Sequence, residues 1–191
     1  MTIVPVGYEI ATPRSHELAR ISAIEIAAAA MFPPEDVAPK LREKGLPLSF
    51  FEQASSAGRL WVVRMVEPAA PVGFAVVILL DGSAHLYEMD VLPAHGRRGI
   101  GRALLLHVAR WAHARGFAFL TLTTFRHLPW NAPFYASVGF AEIGDRDLGP
   151  QLREAMAKEV EHGLDPGKRV AMRLDLRAAQ RGAAAERPSV R

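Results

Sequence analysis

The sequence predicts a mixed fold of the α+β class, in which a central, mostly antiparallel twisted sheet of six or seven strands is flanked by helices. Three strand-like runs follow one another at residues 60–66, 72–80 and 84–91, and Asp81-Gly82 between the last two is typical of a tight hairpin. Residues 101–115 follow directly and repeat apolar side chains at helical spacing. An antiparallel meander followed by a helix indicates this fold class rather than a regular alternation of strands and helices.

Each further element is predicted from the periodicity of its apolar residues and from the turn residues at its ends. Ser15 is the predicted cap of the first helix, and Gly58, Gly116 and Gly139 each follow the end of a later one. The predicted helices cover residues 16–31, 49–57, 101–115, 131–139 and 150–162. The predicted strands cover residues 8–10, 60–66, 72–80, 84–91, 117–124, 140–143 and 170–176.

The composition suits one domain, and we assign residues 1–176 to it. Half of the 191 residues are hydrophobic, which is enough for a buried core. The absence of cysteine excludes disulfides, thiolate zinc sites and a cysteine nucleophile. The longest early apolar stretch, residues 21–32, is too short to cross a bilayer, and no signal peptide opens the chain. We therefore expect a cytoplasmic protein without a membrane partner.

The positive charge is concentrated at the C-terminus. Residues 177–191 hold four arginines and one glutamate, a net charge of +3, which equals the net charge of the whole chain. The body is therefore neutral, which argues against a nucleic-acid partner, and we predict that residues 177–191 form a basic, disordered tail. His85 and His127 lack neighbours at metal-ligand spacing, so no metal site is predicted. The oligomeric state stays open, with a homodimer as one alternative.

The segment between the strand that ends near residue 91 and the helix that begins at residue 101 has the composition of an anion site. Its glycines and arginines are Gly96, Gly99, Gly101, Arg97, Arg98 and Arg102. Glycines let a backbone approach a ligand closely, and the free N–H groups at a helix N-terminus attract negative charge. Neither the Walker loop nor the dinucleotide fingerprint fits, because the first needs Gly-Lys-Ser/Thr and the second needs glycine at Leu104. A pyrophosphate is the anion that this loop suits, and the alternative is a glycine-rich turn without a ligand.

Two motifs resemble those of the GNAT family, the Gcn5-related N-acetyltransferases. Arg97-Arg98-Gly99-Ile100-Gly101-Arg102 is similar to the family's signature at the start of its central helix, although Gly96 stands where the family has glutamine or arginine. His95 and Arg97 are the alternatives for the missing side-chain contact. The segment from Asn131 to Phe140, Asn-Ala-Pro-Phe-Tyr-Ala-Ser-Val-Gly-Phe, is similar to the second signature. The resemblance implies a GNAT-type fold whose sheet splays at the cofactor site.

The resemblance also implies acetyl-CoA as cosubstrate and direct transfer of its acetyl group to an amine. The backbone of residues 89–91 would pair with the pantetheine arm, the loop would bind the diphosphate, Asn131 would contact the arm, and Tyr135 would protonate the departing thiolate. The implied cofactor-binding residues are Met89, Asp90, Val91, Arg97, Arg98, Gly99, Ile100, Gly101, Arg102 and Asn131.

Glu88 is the candidate general base, because it lies three residues before Val91 in the strand that should carry the thioester, and Asp90 is the reserve. Period two predicts Glu88 and Asp90 on one face, with Tyr87 and Met89 on the other. Each residue has a structural alternative: an ion pair for Glu88, packing for Tyr135 and a helix cap for Asn131. The acceptor is expected to be a small amine or a peptide, and the alternative function is an acetyl-CoA sensor without turnover.

Overall fold

The computed structural model describes residues 4–178, which form seven strands and six α-helices joined by short 3₁₀ turns. The helices are α1 Leu18–Ala29, α2 Pro39–Arg42, α3 Leu48–Ser56, α4 Ile100–Ala114, α5 Ala132–Ala136 and α6 Pro150–Glu161. The strands are β1 Tyr8–Ala11, β2 Leu60–Met65, β3 Ala70–Leu80, β4 Ser83–Val91, β5 Phe119–Phe125, β6 Ala141–Glu142 and β7 Arg169–Asp175.

The seven strands form one sheet in the order β1-β2-β3-β4-β5-β7-β6. Every neighbouring pair is antiparallel except β4 and β5, which are parallel, so the predicted mostly antiparallel sheet is confirmed. Helix α4 covers one face, where buried side chains include Val63, Ala75, Val77, Leu86, Leu104, Val108, Leu122 and Leu174. Helices α1 and α3 cover the other face, where they include Ile21, Ile24, Phe51, Leu60, Val62, Phe74 and Val76.

Strands β4 and β5 pair over a very short distance. Within residues 4–178 their register consists of Ala84 opposite Leu120 and His85 opposite Thr121. The Thr121 hydroxyl donates to the Ala84 carbonyl at 3.3 Å, so the His85 Nδ1–H donates to Thr121 Oγ1 at 2.9 Å. Burial lowers the pKa of His85 to about 4, which keeps the imidazole neutral. Beyond this contact, and within the part of the chain that the structure describes, β4 pairs only with β3 and β5 only with β7, which leaves a gap in the sheet.

A β-bulge in β4 changes the side-chain faces near this gap. Val76 lies opposite Glu88 and Val77 opposite Leu86, so Tyr87 is the extra residue. The ring centroid of Tyr87 lies 5.1 Å from that of Phe50 in α3, so Tyr87 is on the face that α1 and α3 cover. Glu88 is on the same face, because it stands opposite Val76. The prediction that Tyr87 faces the opposite way was therefore wrong, because strict alternation fails at a bulge.

The start of the first helix also differs from its prediction. Residues Ser15–Glu17 form a 3₁₀ turn and α1 begins at Leu18, so Ser15 is not its cap. Instead the Glu17 carboxylate accepts the Arg14 backbone N–H at 2.7 Å and the Arg64 guanidinium at 2.7 and 2.8 Å. A buried ion pair to β2 thus fixes the entry to the helix.

Of the predicted basic tail, residues 177–191, the structure describes only residues 177 and 178, and positions 179–191 lie outside the described residues. At its start, the backbone N–H groups of Arg177 and Ala178 donate to Asp175 Oδ1 at 2.8 and 3.0 Å.

The two glycines at the start of α4 differ in conformation, and this difference is testable. Gly99 has φ +81, a left-handed value that costs an alanine about 1 kcal/mol. Gly101 has no positive φ and nothing within 4 Å of an added Cβ, so alanine there should be neutral or stabilising. We expect Gly99→Ala to lower the free energy of unfolding by about 1 kcal/mol in urea titrations without ligand. Equal effects of Gly99→Ala and Gly101→Ala would contradict this description of the loop.

Candidate active site

The carboxylates of Glu88 and Asp90 lie on one face of β4, beside the gap. They stand opposite Val76 and Phe74 of β3, which belong to the core under α1 and α3. Glu88 and Asp90 therefore share one face of β4, as the sequence predicted. Burial raises the pKa of Glu88 to about 7, and the negative charge of Glu25 adds to the increase. Burial likewise raises the pKa of Asp90 well above its usual range, and the charge of Glu88 contributes next. A pKa of about 7 allows Glu88 to exchange a proton near neutral pH.

Tyr135 approaches the same carboxylates from the opposite side of the sheet. Its ring packs in the α4-side core between Phe134 and Phe140, at centroid distances of 5.1 and 5.7 Å. Burial raises the pKa of the hydroxyl, and the charges of Glu88 and Asp90 raise it further. The phenol is therefore protonated at neutral pH and lies within electrostatic range of both carboxyls. The gap is the place where side chains from the two faces meet.

Three charged residues that the sequence did not reveal also act on Glu88. Glu25 of α1 and Glu159 of α6 raise its pKa, whereas Arg169 of β7 lowers it. Arg169 is held by two hydrogen bonds to Glu159, at 2.8 and 2.9 Å, and it also donates to Thr123 Oγ1 at 3.2 Å. Glu25 lies 63 positions before Glu88, and Arg169 lies 81 positions after it. No local sequence motif therefore connects these residues with Glu88.

The predicted anion loop lies where β4 leads into α4. Arg97, Arg98 and Arg102 are exposed, and within residues 4–178 none of them forms a salt bridge. The first backbone N–H groups of α4, in the segment 100–102, have no acceptor within the helix because of their position. Three unpaired cations thus surround a helix N-terminus, which is the arrangement that binds a phosphate group.

Backbone groups of β4 face the gap, and the buried amide of Asn131 lacks a partner within residues 4–178. The Leu92 N–H donates to the Val72 carbonyl of β3, so the alternate residues Met89 and Val91 turn their backbone groups away from β3. Asn131 is buried, and its side chain does not cap α5. Its Nδ2 has no hydrogen-bond partner within the described part of the chain. A buried amide without a partner is costly, so this observation fits a polar ligand rather than the cap alternative.

The buried carboxylate of Asp36 connects three segments of the chain. Asp36 Oδ2 lies 2.9 Å from His127 Nε2, and Asp36 Oδ1 lies 2.6 Å from Lys168 Nζ. The hydrogen bond from Lys168, followed by that from His127, keeps the pKa of Asp36 below its usual range. Asp36 thus joins the segment after α1 to the segment that leads to Asn131 and Tyr135.

Residues 4–178 contain neither a cluster of metal ligands nor a helix that could span a membrane. No group of three or more histidine, aspartate or glutamate side chains is arranged to hold a metal ion. None of the helices in this range has the length and apolarity that a membrane span requires.

Comparisons with known proteins agree with this geometry. The model of the Acetyltransferase (GNAT) family matches residues 23–140, which is more than half of the chain. The chain is similar to streptothricin acetyltransferase of Streptomyces lavendulae, with 36% identity over 97 residues, or 48% of each protein. It therefore spans about half the length of that curated relative.

Solved structures share the fold at low sequence identity. The ribosomal-protein-S18-alanine N-acetyltransferase of Escherichia coli matches with a TM-score of 0.60 and 20% identity, over 88% of this chain and 94% of the other. The PaiA N-acetyltransferase of Thermoplasma acidophilum, solved with coenzyme A, matches with a TM-score of 0.61 and 17% identity, over 88% and 98%. At these identities the comparison establishes the fold, a seven-stranded, mostly antiparallel sheet flanked by helices.

The partly buried carboxyl of Glu88 predicts that Glu88→Gln is more stable than the parent protein by an amount that depends on pH. Because burial raises the folded-state pKa from the usual 4.5 to about 7, ionisation costs more in the folded protein than in the unfolded chain. The parent protein therefore loses stability relative to Glu88→Gln as the pH rises from about 4.5 to about 7, and the difference is constant above that range. Scanning calorimetry between pH 5 and pH 8 should show this widening difference in Tm.

Glu154→Gln on α6 is the matched control. The Glu154 side chain is exposed and pairs with Lys158, so its removal should give no gain at high pH. A Glu88→Gln difference that stays constant across the range would contradict the raised pKa.

Proposed function

Because this chain belongs to the Acetyltransferase (GNAT) family, we propose that it transfers the acetyl group of acetyl-CoA directly to the nitrogen of an amine acceptor. The observation that carries the proposal is the gap between β4 and β5, which has the arginine-rich loop at one end and Glu88, Asp90 and Tyr135 beside it. Acetyl-CoA supplies the acyl group as an activated thioester, and the residues around the gap bind it and move protons.

Three sets of groups would hold the cofactor. The loop arginines and the N–H groups of segment 100–102 suit the diphosphate. The backbone groups of Met89 and Val91, which β3 leaves unpaired, suit the amides of the pantetheine arm. The unpartnered Nδ2 of Asn131 suits a carbonyl oxygen of the same arm. The cofactor thus satisfies groups that the folded chain leaves without partners.

Glu88 acts as the general base in this proposal. An alkyl amine with a pKa near 10 is only about 0.1% neutral at pH 7, which adds about 4 kcal/mol to the barrier. A carboxylate with a pKa of about 7 accepts the amine proton efficiently at neutral pH, because its affinity for the proton matches the pH of operation. Burial raises the pKa of Asp90 well above its usual range, the charge of Glu88 raises it further, and Asp90 is the reserve candidate.

Tyr135 acts as the general acid. Its raised pKa keeps the hydroxyl protonated, and that hydroxyl donates its proton to the sulfur as the thiolate leaves. The buried ring limits the positions that the hydroxyl can adopt. A sensor without turnover, the alternative function, would not require a base and an acid on opposite sides of one gap.

The acidic surroundings favour a cationic amine as acceptor. Glu25, Glu88 and Glu159 outnumber Arg169, so their summed charge attracts an ammonium group toward the base. The similarity to streptothricin acetyltransferase makes streptothricin the first acceptor to test, and peptides with a free N-terminus are the alternative.

Turnover can be measured without background from the protein. The chain has no cysteine, so a thiol reagent reports only the CoA released from acetyl-CoA. Streptothricin, aminoglycosides, polyamines, amino acids and peptides are the acceptors to screen. With an accepted substrate, kcat/KM should rise with pH through an apparent pKa near 7. Glu88→Gln should lower kcat/KM about 10²-fold at pH 7 and recover part of it above pH 9, where the amine loses its proton to solvent.

Asp90→Asn is the informative comparison, since it changes a neighbouring carboxyl on the same strand. A fully active Glu88→Gln variant would remove Glu88 from the proposed mechanism, and a larger loss in Asp90→Asn would assign the base to Asp90. CoA binding without turnover of any amine would favour the sensor.

A further inference from the structure

The N-terminal strand contacts the loop that the proposed function assigns to the diphosphate. Tyr8 of β1 lies 87 positions before His95, yet its hydroxyl is 2.9 Å from His95 Nδ1. Arg98 Nη1 donates to the same hydroxyl at 3.2 Å. Pro5 lies against the loop as well, because its Cγ is 3.8 Å from where a Cβ on Gly99 would stand. The start of the described chain thus packs against the first half of the loop.

The directions of these hydrogen bonds follow from what each group can donate. A guanidinium only donates, so the Tyr8 oxygen accepts from Arg98, and its own proton is free to donate to His95 Nδ1. Burial lowers the pKa of His95, and the charge of Arg98 adds to the effect, so the ring is neutral and Nδ1 can accept. The ring proton must then be on Nε2. The second arm of Arg98 donates to the Ala94 carbonyl at 3.4 Å.

We propose that Tyr8 is a positioning residue of the cofactor site, which fixes His95 in the Nε2–H tautomer and holds Arg98, so that both donate to the diphosphate of CoA. This inference rests on the proposed function. It accounts for Gly96, which stands where the family motif has glutamine or arginine and provides no side-chain donor. His95, the preceding residue, supplies that donor once Tyr8 has set its tautomer.

The first experiment compares Tyr8→Phe with the parent protein and with Glu9→Gln. Tyr8→Phe removes only the hydroxyl, whereas Glu9 is exposed on the same strand and pairs with Arg64. We expect calorimetry to show about a 10-fold higher Kd for CoA in Tyr8→Phe and an unchanged Kd in Glu9→Gln. The Tyr8→Phe effect on kcat/KM should appear with acetyl-CoA and vanish with S-acetylpantetheine, which lacks the diphosphate. Equal losses with both substrates would mean a general structural role and overturn the inference.

The second experiment begins with a direct measurement of the tautomer in the absence of CoA. Long-range ¹H–¹⁵N NMR of the imidazole should show His95 as the Nε2–H form in the parent and as a mixture of tautomers in Tyr8→Phe. The next measurement repeats the comparison in a His95→Gln background, because a glutamine amide donates hydrogen bonds and has no tautomers. In that background Tyr8→Phe should raise the Kd for CoA by less than it does in the parent. An unchanged Kd in folded Tyr8→Phe, or an Nδ1–H form in the parent, would overturn the inference. If the parent does not bind CoA at all, the proposed function itself fails and the inference fails with it.

Discussion

The separation of β4 from β5 beyond His85 and Thr121 is the constraint on which the site depends. Two register pairs hold the strands together, and the hydrogen bond between these two side chains closes the last of them. From there β4 keeps its backbone bonds to β3, and its other edge is left without a strand. Unpaired backbone groups inside a protein are costly. A ligand that pairs with this edge therefore forms the backbone hydrogen bonds that an adjacent strand would otherwise form.

The same gap explains why charge accumulates there. Side chains from both faces reach it: Glu88 and Asp90 from the α1 side, and Tyr135 from the α4 side. Burial of carboxylates costs stability, and the folded chain offsets this cost only in part through Arg169. The functional consequence is a proton acceptor whose pKa lies near neutrality. The burial that costs stability therefore also adjusts the carboxyl for proton transfer.

Local motifs made part of this site predictable from the sequence. The loop 96–102 and the segment 131–140 are each a continuous stretch of sequence. Their glycines, arginines and helical spacing indicate local structure and anion binding directly. The bulge at Tyr87 was not predictable, because period two assumes an undisturbed strand. Glu25, Asp36 and Arg169 were also missed, since they approach the site through tertiary packing across long stretches of sequence. Ser15 had the residue type of a cap, but the ion pair between Glu17 and Arg64 determines where the helix begins.

Backbone amide exchange, measured by NMR with and without CoA, tests the central claim most directly. The account predicts that CoA slows exchange of the Met89 and Val91 amides, which face the gap, and of the amides in segment 100–102 at the start of α4. Amides of β2, which pair with β1 and β3 in the same sheet, should not change. CoA that binds by calorimetry while Met89 and Val91 exchange at their original rates would contradict the placement of the cofactor in the gap between β4 and β5.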